Sequence, residues 1–322
     1  MKTIIAGIIG GAGYTGGELL RILLHHPNVN ISFINSESQS GKLASETHKD
    51  LFGETELRFT NEKKFDNVDV IFLCSGHGQS AKFLNENTVP SHVKIVDLST
   101  DFRDESEGFV YGLPELQKEK IKKADKISNP GCFATSIQLA ILPLAHAGLL
   151  KSDVHVSAIT GSTGAGQLPS ATSHFSWRNS NVSVYKAFTH QHLKEIGQSL
   201  KSLQPDFDAA INFIPYRGNF TRGIMANVYT HFDGTLEEAK SMYRPFYGDA
   251  PFVHISDATI DLKMVVNTNK CVLELQKHGN QLLITSIIDN LTKGASGQAV
   301  QNMNLIFGLE ENIGLHLKPA GF

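Results

Sequence analysis

Thr3-Ile4-Ile5-Ala6-Gly7-Ile8-Ile9, running straight into Gly10-Gly11-Ala12-Gly13-Tyr14-Thr15-Gly16, is the stretch on which the fold turns. The apolar run reads as a buried strand. Residues 16–25 read as a helix with Leu19, Leu20, Leu23 and Leu24 on its apolar side. Between them lie Gly11-x-Gly13-x-x-Gly16 and Gly10-x-x-Gly13-x-x-Gly16. Strand, glycine loop and helix in that order are the setting a dinucleotide fingerprint requires. Glycines permit the tight turn and the approach of backbone to a pyrophosphate. The helix start then offers free N–H groups and the positive end of its dipole to that anion.

Residues 29–34, 68–74 and 93–98 read as further strands, and strands alternating with helices predict a parallel, doubly wound α/β sheet. After residue 150 the pattern changes. Residues 153–160, 209–214 and 223–232 read as strands, and 271–276 and 281–289 flank Lys277-His278-Gly279-Asn280 as a hairpin. This half is expected to be a second, α+β domain with a largely antiparallel mixed sheet. Residues 296–309 read as a final helix carrying Val300, Met303, Leu305 and Ile306.

A chain of 322 residues can bury one large core or two ordinary ones. It is 41% hydrophobic and 19% charged, a globular composition. A net charge of -3 with no long run of one sign points away from nucleic acid and from membrane surfaces as partners. No apolar stretch is long enough to cross a bilayer, and the start lacks a signal-peptide pattern, so a cytoplasmic protein is expected. The three cysteines, Cys74, Cys132 and Cys271, are far apart and odd in number. Neither a disulfide framework nor a metal site is expected.

The second strand ends Ile34-Asn35-Ser36-Glu37-Ser38. Glu37 could hold ribose hydroxyls, as in an NAD site, but it lies beyond the expected strand end. Ser36, Ser38 and Lys42 offer hydroxyls and a cation for a 2′-phosphate, which favours NADP(H).

In Ser128-Asn129-Pro130-Gly131-Cys132-Phe133-Ala134-Thr135 the Asn-Pro-Gly turn predicts a helix starting near Cys132. A cysteine there has its thiolate stabilised by the dipole and by free N–H groups. On composition alone a buried structural cysteine is an equal reading. Cys74 and Cys271 sit in strands and read as structural.

Asn129-Pro130-Gly131-Cys132-x-x-Thr135 resembles the nucleophile motif of the N-acyl-γ-glutamyl-phosphate reductases of arginine biosynthesis, relatives of aspartate-semialdehyde dehydrogenase. The likeness runs along nearly the whole chain. It includes Gly10-x-x-Gly13-Tyr14-Thr15-Gly16, Asp97-Leu98-Ser99-x-Asp101-Phe102-Arg103, Tyr111-Gly112-Leu113-Pro114-Glu115 and Gly161-Ser162-Thr163-Gly164-Ala165-Gly166. It continues through His190-x-His192-x-x-Glu195-Ile196, Thr221-Arg222-Gly223 and the stretch from Asp289-Asn290 through Lys293-Gly294-Ala295 to Gln301-Asn302. Thr189, Lys194, the run Ser75-Gly76-His77-Gly78 and the turn Pro215-Tyr216-Arg217-Gly218 depart from the family pattern.

The resemblance implies an NADP-binding domain over 1–131 and 297–322, and a catalytic and oligomerisation domain over 132–296. It implies a homo-oligomer, dimer or tetramer, acting on a small acyl phosphate. Cys132 would attack the acyl phosphate to form a thioester, which NADPH reduces to the aldehyde. His190 and His192 become acid–base candidates. His192 is preferred because Glu195, three residues on, would share its helical face and orient the ring. Arg103 and Arg222 would hold phosphate or α-carboxylate, with Ser162 and Thr163 adding donors. Gly10, Gly13, Tyr14, Thr15, Gly16 and Ser75 would line the cofactor. Asn290 would hydrogen-bond the nicotinamide amide or cap the final helix. Trp177, the single tryptophan, reads as packing. The competing readings are a relative acting on an α-aminoadipyl or aspartyl phosphate, a cysteine hydrolase, which needs no glycine loop, and an NADP sensor, which needs no reactive thiol.

Overall fold

A computed structural model describes residues 3–321; residues 1, 2 and 322, the outermost of the expected domain spans, lie outside the described residues. The chain divides into two compact units, 3–130 with 295–316, and 131–294 with 317–321.

In the first unit, β1 (Ile4–Ile9), β2 (Val29–Asn35), β3 (Phe59–Thr60), β4 (Val70–Leu73), β5 (Lys94–Asp97), β6 (Val110–Tyr111) and β7 (Lys126–Ser128) form one sheet in the order β3-β2-β1-β4-β5-β7-β6. Every pairing is parallel. β1 and β4 are apolar throughout because a parallel sheet is covered on both faces. On one of those faces Ile9, Phe33, Ile71, Leu73, Phe83 and Ile95 form a continuous core. The strand order reverses between β1 and β4, the switch point at which open α/β sheets bind ligands beyond the strands' C-terminal ends. The helix after β1 is Tyr14–Leu23. It begins two residues earlier than the spacing predicts, because Gly13 is extended and caps it. Its Leu19, Leu20 and Leu23 are buried, each contributing about 1.5–3 kcal/mol.

The last helix, Gly297–Ile306, follows a π-helical turn, Thr292–Ser296, and all ten of its residues are buried. Its polar side chains are put to use. Asn302 Nδ2 donates to the Gly112 carbonyl at 2.8 Å and to Asn129 Oδ1 at 3.1 Å.

In the second unit, β8 (Val154–Thr160), β9 (Ser183–Val184), β10 (Ile211–Arg217), β11 (Ile224–His231), β12 (Val253–Ser256), β13 (Cys271–His278) and β14 (Gln281–Ile288) form a mixed sheet in the order β12-β13-β14-β11-β8-β10-β9. β8 pairs with β10 and β12 with β13 in parallel; the remaining pairs are antiparallel. β13 and β14 are joined by the two-residue turn Gly279-Asn280, with Gly279 at φ 53°, the conformation a tight hairpin turn demands. Along β8 and β11 burial alternates residue by residue. One face, with Val154, Val156, Ala226 and Val228, is buried, and the helix Cys132–His146 packs on its β11 and β14 portion. That helix is fixed by Ser136 Oγ donating to Ser286 Oγ at 3.0 Å, and by the hydroxyls of Tyr243 and Tyr247 donating to the Ala140 and Leu139 carbonyls. Residues 317–321 belong to this unit, where the Ala320 amide donates to the Val266 carbonyl, although the expected division carried them with the first.

Candidate active site

The glycine loop is held from two sides. The amides of Gly10 and Gly11 both donate to the Asn35 carbonyl at the end of β2. Gly10 has φ +78°, and a Cβ there would lie 2.8 Å from the Ser75 amide and hydroxyl. A Cβ on Gly16 would lie 2.6 Å from the Gly11 backbone. The loop thus closes on the helix start with no room for a side chain at Gly10 or Gly16, the tight backbone turn that a dinucleotide pyrophosphate at a helix start requires. Ser75 stands at its rim.

Beyond β2, Ser36 and Ser38 place their hydroxyls 3.5 Å apart, and Lys42 Nζ bonds Gln39 Oε1 on the same loop. Arg58, which the sequence reading passes over, donates to the Gly41 carbonyl and adds a second cation beside Lys42. His48 is a further residue missed. Its Nε2 lies 2.9 Å from the Gly11 carbonyl, and its ring fills the space a Cβ on Gly17 would need.

Cys74 is no rival nucleophile, because burial and the nearby Asp97 carboxylate push its thiol well above the usual range. Cys271 is fully buried, with its sulfur 3.5 Å from Ser286 Oγ. Arg103, in the first unit, is buried and donates to the carbonyls of Asn129 and Leu98.

In the second unit Cys132 is the first residue of its helix, and Gly131 is the extended cap. The first turn holds no acidic residue, so the dipole acts on the thiol without opposition from that turn. Glu195 Oε2 accepts a hydrogen bond from the Gly131 amide at 3.0 Å. Glu195 is also 3.9 Å from His192 Nε2, an ion-pair distance. His192 opens the helix His192–Leu203, and His190 lies in the turn before it, with Nδ1 accepting from the His192 amide at 3.3 Å. That bond leaves the proton of a neutral His190 ring on Nε2. Burial first, then the cations of Lys186 and Arg217, push His190 down to about 4. The ring meets Phe133, Tyr185 and Phe213 edge-on. Burial, with the Cys132 charge next, lifts the Tyr185 phenol to about 12, which places Tyr185 within electrostatic reach of the Cys132 thiol. Gly294 closes the other side, since a Cβ on it would fall 2.8 Å from Cys132 Cβ.

Arg222 forms a two-pronged ion pair with Asp289, Nε–Oδ2 2.9 Å and the second amino group to Oδ1 3.1 Å, and Asp289 is fully buried. Asn290 accepts from the Gly223 amide and donates to Thr163 Oγ1, so its amide ties the 221–223 turn to the 161–166 loop. Thr163 is bonded on both sides, its hydroxyl donating to the Thr221 carbonyl; Ser162 is held through its amide to the Phe220 carbonyl. Trp177 is half exposed rather than packed in a core.

The family model described as "Semialdehyde dehydrogenase, NAD binding domain" matches residues 5–124, and "Semialdehyde dehydrogenase, dimerisation domain" matches 132–290. This chain belongs to the semialdehyde dehydrogenase family. Within it, the chain is 62% identical over 99% of its length, and 100% of the relative's, to the N-acetyl-gamma-glutamyl-phosphate reductase of Christiangramia forsetii. It is 60% identical, over 99% of its length and all of the relative's, to the enzyme of that name from Flavobacterium johnsoniae. Among solved structures, aspartate semialdehyde dehydrogenase II of Vibrio cholerae superposes with a TM-score of 0.76, at 16% identity, over 96% of this chain and 99% of that one. That likeness speaks for the fold. A semialdehyde dehydrogenase is an oxidoreductase with a dinucleotide site and a dimerising second half, and the two units described here match the two parts of the family model. No cluster of metal-binding side chains occurs among the described residues, and no helix there is long and apolar enough to cross a membrane.

Proposed function

We propose that this chain reduces N-acetyl-γ-glutamyl phosphate to the glutamate 5-semialdehyde with release of phosphate, in arginine biosynthesis, as its relatives' names describe. The observation that carries the proposal is Cys132 at the start of a buried helix whose cap, Gly131, is held by Glu195, with Tyr185 in electrostatic reach of the thiol and the His190 ring edge-on to Tyr185 and Phe133. The dipole and free N–H groups favour the Cys132 thiolate. Sγ bonds to the acyl carbon of the γ-carboxyl group and the carbon–oxygen bond to phosphate breaks, the phosphate leaving with the electron pair. NADPH, when bound, supplies the hydride to that carbon; the carbon–sulfur bond then breaks, freeing the aldehyde and returning the electron pair to the Cys132 thiolate. The Gly10–Gly16 loop and Ser75 would hold the pyrophosphate, and Ser36, Ser38, Lys42 and Arg58 the 2′-phosphate.

The sequence favours His192 as the acid–base group; the ring geometry favours His190. His192 turns Nε2 toward Glu195 and buries Nδ1, whereas His190 keeps a proton on Nε2 with no protein acceptor among the described residues. From there it can donate to the carbonyl oxygen as negative charge builds on it. Glu195 acts chiefly through the Gly131 amide, positioning the nucleophile's turn.

The reading includes a homo-oligomer built through the second unit. Its support is the matched dimerisation domain and the exposed apolar side chains Leu168, Phe175, Trp177 and Phe188 on one segment of that unit.

The test is NADP reduction by N-acetylglutamate 5-semialdehyde with phosphate. Turnover should require phosphate, favour NADP over NAD in kcat/KM, and disappear in Cys132→Ser with NADPH binding retained. Phosphate-independent turnover, or activity in the serine variant, would overturn it.

A further inference from the structure

Arg217 ends β10 with its guanidinium carbon 4.5 Å from the centroid of the Tyr185 ring. Its surroundings set it apart from the other arginines. Arg21, Arg222 and Arg244 are paired with carboxylates, Arg58 and Arg103 donate to backbone carbonyls, and Arg178 donates to backbone carbonyls and the Ser183 hydroxyl. No acidic side chain pairs with Arg217 among the described residues, and its Nε–H is sealed from solvent without an acceptor. A desolvated donor left unmet is costly, and such groups persist where function needs them.

The segment that faces Arg217 is itself strained. Lys186 and Phe188 have φ of 45° and 59°, in the left-handed region that non-glycine residues avoid. The segment is nonetheless held, the amides of Tyr185 and Phe188 donating to the Pro215 and Phe213 carbonyls of β10. The strain presents Tyr185 and Lys186 beside His190, and both Lys186 and Arg217 act electrostatically on that ring. Among the described residues neither Arg217 nor Lys186, whose Nζ donates to Gln191 Oε1, is paired with a carboxylate, and two such cations next to the neighbours of Cys132 make a place for an anion. Arg222, the cation that the sequence singles out, is already neutralised by Asp289.

We infer that Arg217, supported by Lys186, binds an oxyanion of the substrate at the Cys132 site. This rests on the acyl-phosphate reading above. The substrate carries two such groups, the phosphate and a carboxylate, and both would fit a guanidinium fork.

Running the reaction backwards separates them, because phosphate and the N-acetyl semialdehyde are then different reactants. Wild-type enzyme must first show phosphate-dependent NADP reduction; if it does not, the functional reading fails before Arg217 is tested. In Arg217→Met, whose flat-lying chain keeps the contact with Tyr185, the KM of one reactant should rise about 10- to 100-fold, the worth of a charge-assisted hydrogen bond. A rise confined to phosphate assigns the phosphate, and a rise confined to the semialdehyde assigns the carboxylate. The KM for NADP should stay unchanged, and Arg217→Lys should recover part of the loss. If phosphate and semialdehyde KM both stay within about two-fold of wild type, the assignment is wrong. Thermal melting separates the site from the scaffold. Arg217→Met should melt as wild type does, whereas Arg222→Met, which strands the buried Asp289, should melt lower. Should Arg217→Met melt lower as well, the same KM comparison is made on Arg217→Lys.

Discussion

Glu195 Oε2 accepts a hydrogen bond from the backbone amide of Gly131 at 3.0 Å, and Gly131 caps the helix that Cys132 begins. A carboxylate one helix away therefore fixes the turn from which Cys132, the proposed nucleophile, projects. Two roles for Glu195 can be separated by substitution. Glu195→Gln keeps an oxygen that can accept from Gly131, so a positioning role predicts a loss in kcat of less than about 10-fold. Glu195→Ala leaves a buried amide without its acceptor, at a cost of about 1–3 kcal/mol. It should lower kcat further and shift the pH dependence of alkylation of Cys132 by iodoacetamide. If the glutamine and alanine variants behave alike in both measurements, the bond to Gly131 is not what matters.

Gly294 packs so closely on Cys132 that a Cβ would stand 2.8 Å from Cys132 Cβ, nearer than real Cβ atoms come. Gly294→Ala must push the start of the helix Cys132–His146 or the turn Thr292–Ser296 aside. Overpacking of this kind costs about 1–3 kcal/mol. The variant is expected to melt lower and to lose more kcat than cofactor affinity, since the displaced residue is the proposed nucleophile. Unchanged kcat would show that the turn yields without moving Cys132.

Much of this architecture is legible in the residues themselves. The strand, glycine loop and helix at the N-terminus carry their chemistry locally, and β4 and β5 stand out as apolar runs bounded by turns. β3, β6 and β9 span two residues each, too short for any period to register. The site is harder to read for a different reason. Whether an arginine is free or neutralised depends on partners distant in sequence. Asp289 lies 67 residues from Arg222, and Gly131 lies 64 from Glu195. His-x-His-x-x-Glu spacing correctly places His192 and Glu195 on one helix, but it says nothing of the bond to Gly131. Arg217 ends β10 in the stretch 215–218, which departs from the family pattern, so a resemblance could not point to it, and the aromatic ring it lies on comes from another strand's flank.

His48 offers a pH-dependent test of the glycine loop. Burial is the main reason its ring resists protonation, and the hydrogen bond to the Gly11 carbonyl acts in the opposite sense; Arg21 opposes the proton and Asp50 favours it. His26, bonded to Asn304, is lowered by burial too. Because the folded-state pKa lies below the unfolded value near 6.5, the unfolded chain binds more protons as pH falls. Stability is thus full above about pH 6.5 and declines below it. Melting temperature should fall between pH 7 and pH 5. His48→Gln, which can still donate to Gly11 but does not titrate, should flatten part of that slope and leave NADPH affinity at pH 7 within a few-fold. His48→Ala, which loses the donor, should weaken NADPH binding. An undiminished slope in His48→Gln would remove this histidine from the acid response.

In the proposed mechanism His190 is the proton donor to the substrate. With Nδ1 accepting from the His192 amide and the ring held neutral down to about pH 4, His190 carries its proton on Nε2 across the working range. Its part is that of a neutral donor to the developing oxyanion, so the acid side of the kcat profile should show no titration between pH 5 and 8 that His190→Asn removes. His190→Asn should lower kcat by about 100-fold or more, with KM for the acyl substrate little changed, because the bond forms only as charge develops. His192→Asn should cost less, acting through the turn that it shares with His190 and through its contact with Glu195. Since the Arg217 cation is one of the charges holding His190 neutral, Arg217→Met should raise the His190 pKa, an NMR shift readable on the ring protons. A greater kcat loss for His192→Asn than for His190→Asn would return the role to His192, the residue the sequence spacing favours. Equal small losses would take histidine out of the mechanism altogether, leaving the helix start and its N–H groups as the source of oxyanion stabilisation.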